Sequence, residues 1–152
     1  MARQANWIQS VRKDEMIFSH DPVANLWSRW NTHWLRHVGI IAVVDARWTM
    51  VGILRPHDIL DHLLQHGVEV YHLWPYTHVV ENSWAERLKK LDGVPAGELI
   101  RDKGVVIPNP TEDWVPSVDL FARHMTSVIW ISDQHHVLYG KVTLKSLVPP
   151  AS

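Results

Sequence analysis

The stretch IIAVVDARWTMVGILRPHDIL at Ile40–Leu60 returns in altered form as VIWISDQHHVLYGKVTLKSLV at Val128–Val148. No gap is needed, because Gly52 aligns with Gly140, 88 positions later, and apolar residues align with apolar residues through most of both stretches. The same offset also aligns Ile41 with Ile129, Asp45 with Asp133, Ile59 with Leu147 and, upstream, Pro22 with Pro110 and Asp14 with Asp102. An internal repeat of this kind predicts two copies of one small structural unit.

The composition is that of an ordinary soluble domain. The chain has 152 residues, 46% hydrophobic and 20% charged, enough for one core or for two half-domains that share a core. Its longest apolar run, Val38–Val44, is far shorter than the roughly 20 residues of a membrane-spanning helix. The first residues, Met1–Glu15, do not resemble a leader. Cysteine is absent and the formal net charge is −1 without a basic block. We therefore expect a cytoplasmic protein with neither a membrane nor a nucleic-acid partner.

Each copy begins with the same local signals. A short β-prone run, Ile17–Ser19 or Val105–Ile107, stops at a turn pair that ends in proline. An apolar stripe at helical spacing follows in both copies. The stripes are Trp27, Trp30 and Trp34 in the first copy and Trp114, Val118, Phe121 and Met125 in the second.

Nearly continuous apolar runs then predict strands that are covered on both faces. A polar turn, a second strand and a closing helix follow each run. The strands are Ile40–Val44 with Met50–Leu54 and Val128–Ile131 with Val137–Val142, and the closing helices begin after Arg55 and Thr143. The order is β-α-β-β-α in both copies, and the predicted fold class is α/β (α+β).

The repeat divides the chain into three segments. We expect residues 1–67 to form the first unit, residues 68–94 a connecting segment, and residues 95–152 the second unit. The connecting segment contains an amphipathic stretch that predicts a helix from Asn82 or Ser83 to Leu91. Ser83 followed by Glu86 is typical of a capping box at the start of that helix.

Two motifs resemble those of the cystathionine-β-synthase (CBS) domain, and their tandem arrangement resembles a CBS pair, or Bateman module. They are the strand Ile41–Asp45, sequence IAVVD, and the strand-to-helix turn Val51–Leu60, sequence VGILRPHDIL. The second copy is similar, more loosely, through Ile129–Asp133 and Tyr139–Leu147. The Asp-to-Gly spacing is seven in both copies, and together the copies cover nearly the whole chain.

The resemblance implies a fold, a ligand class and an assembly. It implies two β-α-β-β-α units related by a pseudo-twofold axis, with two clefts where their sheets meet. It implies adenosine ligands such as AMP, ADP, ATP or S-adenosylmethionine, and a sensor or regulator rather than an enzyme. It also implies homodimers formed through helices, for which the stripe of Trp27, Trp30 and Trp34 is a candidate surface. The same stripe is equally compatible with packing inside one subunit.

The resemblance also implies which residues handle phosphate and ribose. In the family turn, a Thr or Ser is followed three residues later by Asp. The first copy has Arg55 and Asp58 at these positions, and the second has Thr143 and Ser146. An arginine can grip a phosphate with two bonds, so we expect the first cleft to be the better site. Helix capping by Asp58 and Thr143 without any ligand is the alternative.

The family places adenine against the first short strand and against the backbone that precedes the Val-Val-Asp run. By position, this implies Phe18 with Ile41 and Ala42 in one cleft. It implies Val106 with Ile129 and Trp130 in the other. Trp130 can stack on a base or fill the cleft, and filling is the favoured interpretation because large aromatics more often close cavities.

Histidines and catalytic motifs point to no enzyme. His62 and His66 could share a metal ion, yet Asp58 lies about 12 Å from His66 along a helix and cannot complete the site. Neither a nucleophile elbow, a phosphate loop nor a His-Glu-x-x-His motif is present in the sequence. We therefore expect no catalytic residue and no metal.

The resulting hypothesis is a non-catalytic regulatory CBS pair. It would bind an adenosine nucleotide between the motifs, form a homodimer and act on an effector protein that the sequence does not identify. The alternatives are a structural dimerisation module with degenerate, unoccupied clefts, and a metal- or pH-responsive binder that uses the histidines.

Overall fold

The computed structural model describes residues 7–27 and 39–147. Most of the predicted tryptophan stripe, including Trp30 and Trp34, lies outside these residues. The strands are β1 (Gln9–Ser10), β2 (Met16–Phe18), β3 (Ile41–Val44), β4 (Met50–Leu54), β5 (Val70–Leu73), β6 (Tyr76–Val79), β7 (Val106–Pro108), β8 (Val128–Ser132) and β9 (Leu138–Thr143). The α-helices are α1 (Pro56–Gln65), α2 (Glu81–Lys90) and α3 (Val118–His124). Single 3-10 turns cover Lys13–Glu15, Val23–Leu26, Ala96–Leu99 and Leu144–Leu147.

Two sheets repeat one topology. In the first, β2 runs parallel to β3, with Met16 opposite Ala42, and β3 runs antiparallel to β4. In the second, β7 runs parallel to β8, with Val106 opposite Trp130, and β8 runs antiparallel to β9. Both antiparallel pairs are irregular at the end of the central strand, and β5 and β6 form a separate hairpin. These repeated sheets confirm the predicted class, with two α+β units related by a pseudo-twofold axis. The boundaries 1–67, 68–94 and 95–152 stay a prediction.

The turns between the paired strands are equivalent down to single atoms. Oδ1 of Asp45 accepts backbone N–H groups two and four residues ahead, at 2.8 and 3.0 Å. Oδ1 of Asp133 does the same at 2.7 and 3.0 Å. Trp48 and His136, which are 88 positions apart, both adopt left-handed backbone, with φ of 65° and 64°. The aspartates are therefore required by the turn, which explains their place in the repeat.

The offset of 88 is wrong upstream of the central strands. Phe18 pairs with Val44, whereas Pro108 pairs with Ser132. The structural equivalent of Phe18 is thus Pro108, 90 positions later, and the equivalent of Val106 is Met16. The connection that leads from the first short strand to the central strand is two residues longer in the first copy. An alignment without gaps does not show this difference.

The core has three apolar layers, because the central strands are buried on both faces as predicted. Ile41 and Val43 of β3 face a cluster under α1, and Ile129 and Ile131 of β8 face a cluster with Phe121 of α3. The alternate side chains of both strands meet in a layer between the two sheets. This middle layer contains Ile40, Ala42, Val44, Ile53, Val128, Trp130 and Leu138.

The segments that precede the sheets are exchanged between the copies. β1, which precedes the first sheet, pairs with β9 of the second, with Ser10 opposite Gly140. Conversely Asp102, which precedes the second sheet, bridges to Ile53 beside Gly52. A Cβ on Gly52 would overlap Ile100, and a Cβ on Gly140 would overlap Ile8. The two repeated glycines are therefore where each copy admits the lead-in segment of the other.

The helices flank the sheets, with two differences from the sequence prediction. α1 begins at Pro56, buries Ile59 and Leu63, and is followed by Gly67 with φ of 94°. α2 begins at Glu81, earlier than predicted, and Ser83 lies inside it with Oγ accepting the Glu69 N–H at 2.8 Å. The predicted Ser83–Glu86 capping box is therefore wrong. Within residues 7–27 and 39–147, no helix combines the length and apolar character needed to cross a bilayer.

The predicted stripe of the second copy is only partly correct. α3 buries Phe121, and Trp114 packs against the same cluster. Val118 and Met125, however, are 65% and 90% exposed. Met125 has left-handed backbone, with φ of 48°, at the end of α3. The helix ends before its period brings Met125 back to the core.

The glycine contacts predict a stability effect. We expect Gly52→Ala and Gly140→Ala each to lower the free energy of unfolding by roughly 1–3 kcal/mol, because the added methyl overlaps a branched side chain that is packed against backbone. Urea denaturation measures this loss.

Gly93→Ala is the matched control, because nothing lies within 4 Å of the added methyl. It should leave the urea midpoint unchanged or raise it slightly. Equal midpoints for all three variants would contradict the lead-in exchange.

Candidate functional site

The two family-like turns use their fourth residue in the same way. In the first, Oδ2 of Asp58 accepts the Arg55 N–H at 2.9 Å. In the second, Oγ of Ser146 accepts the Thr143 N–H at 3.3 Å and lies 3.1 Å from Thr143 Oγ1. Asp58 is 3% exposed, so its carboxylate is occupied with helix capping. Thr143 and Ser146 are only partly buried and retain surface toward solvent.

The first cleft is a hollow of about 770 Å³ beside Arg55. Its walls are largely apolar, with Ile53 on one side and Val118 and Phe121 of α3 on the other. The guanidinium lies between two carboxylates, with Nε 3.7 Å from Asp58 and Nη2 3.7 Å from Asp102. Arg55, Asp58 and Asp102 together give this cleft a formal charge of −1, which disfavours the binding of a phosphate group.

Arg55 is held loosely between these carboxylates. Neither 3.7 Å separation is a hydrogen bond, and its buried Nε has no hydrogen-bond partner. Asp102 also accepts the Gly104 N–H at 2.8 Å, which fixes its carboxylate at the rim. A phosphate could reach Arg55 only by approaching Asp102 as well.

The second cleft is a hollow of about 830 Å³ between β1, the start of β8 and the turn after β9. Its polar lining is Gln9, Ser10, Arg12, Ser127, Lys141, Thr143, Lys145 and Ser146. Three of these residues are cations and none of the described lining residues is acidic. Lys145 is exposed and has no ion pair within the described residues, whereas Arg12 pairs with Asp14 at 2.9 Å.

A buried ion pair lies at the floor of the second cleft. Lys141 Nζ bonds Glu15 Oε2, with the two side chains 8% and 3% exposed. The other oxygen of Glu15 accepts the Arg12 N–H at 2.9 Å. Lys141 occupies the strand position that Ile53 occupies in the first copy, so one sheet carries a cation where the other carries an apolar side chain. With Asp14 and Glu15 included, the second cleft has a formal charge of +1.

The residues that the resemblance assigned to adenine are mostly inaccessible. Ile41, Ala42 and Ile129 are fully buried, and Trp130 is 1% exposed. Trp130 lies in the layer between the sheets, which is the filling arrangement.

The two remaining adenine candidates are partly buried, and both pack against the layer between the sheets. Phe18 lines a separate hollow with Lys13 and Trp48, and its ring meets the Trp48 ring edge-on at 5.0 Å. Val106 packs partly buried against the layer between the sheets. Of the predicted site residues, the structure brings Thr143 and Ser146 together at one cleft and places Arg55 at the other. A ligand role for any of them stays a prediction.

Sequence reasoning missed the cations of the second cleft. Arg12 is far from Lys141 and Lys145 in the chain and meets them only because β1 is exchanged onto β9. One signal was available, since the predicted strand Val137–Val142 has Lys141 where the first copy has the apolar Ile53.

The histidine pair of α1 is close but incomplete as a metal site. The rings of His62 and His66 stack at 4.0 Å, and His66 Nδ1 lies 2.8 Å from the His62 carbonyl oxygen. No group of three or more potential ligands is gathered anywhere in the described residues. Burial lowers the pKa of His62, and nearby His66 and Arg101 lower it further.

Solved structures share this fold at low sequence identity. A CBS domain protein from Streptococcus pneumoniae TIGR4 aligns with a TM-score of 0.65 over 95% of this chain and 78% of its own, at 11% identity. CBSX2 in complex with AMP aligns with a TM-score of 0.59 over 93% and 90%, at 17% identity. Hypoxic Response Protein I with two coordinated zinc ions aligns with a TM-score of 0.61 over 98% and 100%, at 13% identity. No family model and no curated protein matches the sequence.

The chain therefore has the fold of a tandem CBS domain pair. The likeness covers nearly the whole chain, so it includes both units and the exchanged lead-in segments. At 11 to 17% identity it establishes the fold alone.

The buried ion pair predicts a non-additive stability effect. We expect Lys141→Met to lower the free energy of unfolding by about 3–5 kcal/mol, because the Glu15 carboxylate stays buried without its cation. The double variant Glu15→Leu with Lys141→Met should lose much less than the two single variants together. A double-mutant cycle by urea denaturation measures this, and additive losses would contradict the pairing.

The histidine pair predicts a pH effect of known sign. Because the pKa of folded His62 is lowered, the unfolded chain binds more protons below about pH 6.5, so stability falls as the pH falls through this range. We expect His62→Gln to reduce the difference between urea midpoints at pH 7.5 and pH 5.5. His57→Gln on the same helix should leave it unchanged, and an equal difference in all three proteins would refute the effect.

Proposed function

We propose that this chain is a non-catalytic regulatory module that binds an adenosine nucleotide, AMP, ADP or ATP, in the second cleft. The observation that carries the proposal is the meeting of the Thr143 and Ser146 hydroxyls with Lys145 and Arg12 at one hollow. Hydroxyls and cations together suit phosphate oxygens. The volume of about 830 Å³ lies in the range of small-molecule sites.

Charge decides between the two clefts. Arg55 of the first cleft is flanked by Asp58 and Asp102, whereas Lys145 of the second has no acidic neighbour within hydrogen-bonding distance among the described residues. A difference of two formal charges favours an anionic ligand in the second cleft. The sequence predicted the first cleft as the better site because of Arg55 alone. The proposal differs because Asp58 and Asp102 lie beside Arg55 in the structure.

The known structures support the ligand class. CBSX2, which shares the fold over 93% of this chain, is a complex with AMP. The second cleft keeps a hydroxyl at the first position of the turn and has Ser146 where the family has an acid. Ser146 is a weaker acceptor for ribose than a carboxylate, so the phosphate contacts supply more of the affinity here.

The groups of the second cleft support binding rather than catalysis. A hydroxyl nucleophile needs an adjacent base, usually an imidazole or a carboxylate. Thr143 Oγ1 and Ser146 Oγ contact each other at 3.1 Å. No imidazole is among the described residues that line this cleft, and the Glu15 carboxylate at its floor is bound to Lys141.

Regulation would follow from the exchange of lead-in segments. The cleft is built from β1 of one copy and β9 of the other, so a ligand would tie the copies together. It could shift only an equilibrium between forms that it binds with different affinity. The homodimer, the effector protein and the cytoplasmic location remain predictions.

Nucleotide titration tests the proposal. We expect ATP, ADP or AMP to raise the free energy of unfolding by about 2.7 kcal/mol at 100 times the dissociation constant. Lys145→Met should weaken that binding about tenfold, which corresponds to about 1.4 kcal/mol, because it removes a cation of the cleft that forms no ion pair among the described residues. Isothermal titration calorimetry gives the dissociation constants.

Two variants serve as controls. Lys89→Met removes one exposed charge from α2, away from either cleft, and should bind as the wild type does. Arg55→Met removes the cation of the first cleft and should also retain binding. Loss of binding in Arg55→Met with retention in Lys145→Met would place the ligand in the first cleft instead. Binding of no nucleotide at all would favour the structural module with unoccupied clefts.

A further inference from the structure

The connecting segment carries a hairpin that pairs with neither main sheet. Within residues 7–27 and 39–147, β5 and β6 pair only with each other, with Tyr71 opposite His78 and Leu73 opposite Tyr76. Side chains at these positions share one face, because the side-chain period of a strand is two. We call Tyr71, Leu73, Tyr76 and His78, with Trp74 at the tip, the hairpin face.

The hairpin face is exposed although it is apolar. Trp74 is 95% exposed, Tyr76 69%, Leu73 60% and Tyr71 46%. Within the face, the Tyr71 and His78 rings stack at 5.3 Å. Aromatic side chains that are this exposed and this close together are typical of interaction surfaces.

The open end of the hairpin is anchored to the protein. Val79, at that end, packs against the core cluster under α1. The Val80 N–H donates to the Glu69 carbonyl oxygen at 2.9 Å, and the Glu69 N–H donates to Ser83 Oγ at 2.8 Å. The hairpin is therefore held to the body at its open end, and the aromatic residues of the hairpin face near the tip extend into solvent.

The composition of the hairpin favours contact with another protein surface. Residues 70–80, sequence VYHLWPYTHVV, contain no Asp, Glu, Lys or Arg. Exposed strands usually carry charges, above all lysine, that prevent pairing with other chains. Basic residues that would hold the segment on an anionic membrane surface are also absent from it.

We propose that the hairpin face is a homodimer interface, packed against the same face of a second copy about a twofold axis. In such a contact, like residues meet like, so a charged patch would repel itself whereas this uncharged patch does not. At about 200 Å² per large side chain, the four exposures amount to roughly 500 Å² per copy. A symmetric pair then buries about 1,000 Å², the lower limit for a specific interface.

This interface is independent of the nucleotide site. None of the five residues of the hairpin face lines either cleft. The area at the lower limit predicts a weak pair, which forms at micromolar concentration rather than as an obligate dimer.

Sedimentation of the full chain over a range of concentrations tests the proposal. We expect the wild-type mass to rise with concentration, and we expect Trp74→Ser with Tyr76→Ser to lower the association constant at least tenfold. Leu73→Ser should also weaken association, and its control Leu64→Ser should not. Both leucines are exposed, Leu73 at 60% and Leu64 at 45%, and only Leu73 belongs to the hairpin face. Far-UV circular dichroism and urea midpoints verify that the variants fold.

Thiol cross-linking identifies the surface directly, since the chain has no cysteine. We expect a bis-maleimide reagent to link Tyr76→Cys into covalent dimers more efficiently than Leu64→Cys. An association constant that is the same in wild type and hairpin variants would overturn the proposal. So would equal cross-linking at the two cysteines. A chain that stays monomeric and binds lipid vesicles through Trp74 would also overturn it, in favour of a membrane surface.

Discussion

The two sheets share a single apolar layer, and the rest of the architecture depends on how that layer is filled. Ala42 and Trp130 occupy equivalent strand positions, and both are completely buried in it. A small residue from one copy thus makes room for the largest residue from the other, at the density that protein interiors require. The backbone can follow a pseudo-twofold axis while the side chains cannot, so the two clefts at the edges of this layer are bound to differ.

The exchange of lead-in segments carries that asymmetry to the surface. Each cleft takes one wall from the strand that precedes the other sheet, and Gly52 and Gly140 leave the space for this approach. In the first copy the inward position beside the exchanged segment is Ile53, and it extends the apolar layer. In the second it is Lys141, which needs Glu15 from the exchanged segment because an unpaired cation would be costly at this burial. The Lys141–Glu15 pair is itself neutral, so the positive sign of the second cleft comes from Lys145. The negative sign of the first comes from the two carboxylates beside Arg55.

Much of the fold could be predicted from the sequence, because its strongest signals reflect burial. The central strands β3 and β8 are covered on both faces, so each is a nearly continuous apolar run in the sequence. The aspartate that follows each strand accepts two backbone N–H groups of the turn, which explains why it is present in both copies. The offset between the copies changes from 88 to 90 residues in the connection between the first short strand and the central strand. Two extra residues there cost little free energy and do not alter the hydrophobic pattern. The hairpin of β5 and β6 was missed because its strands are largely exposed and show no regular alternation of polar and apolar residues.

The site was harder to predict than the fold, because its character comes from residues that are distant in the chain. Arg55 alone suggests a phosphate ligand, yet Asp102, 47 positions away, reverses the charge around it. Lys141 alone suggests a surface strand, yet it lies at the floor of a cleft against Glu15. A phosphate bound above Lys141 would offer that cation a second anion and so weaken its hold on Glu15. Since Glu15 directly precedes β2, the ion pair joins the floor of the second cleft to the first sheet.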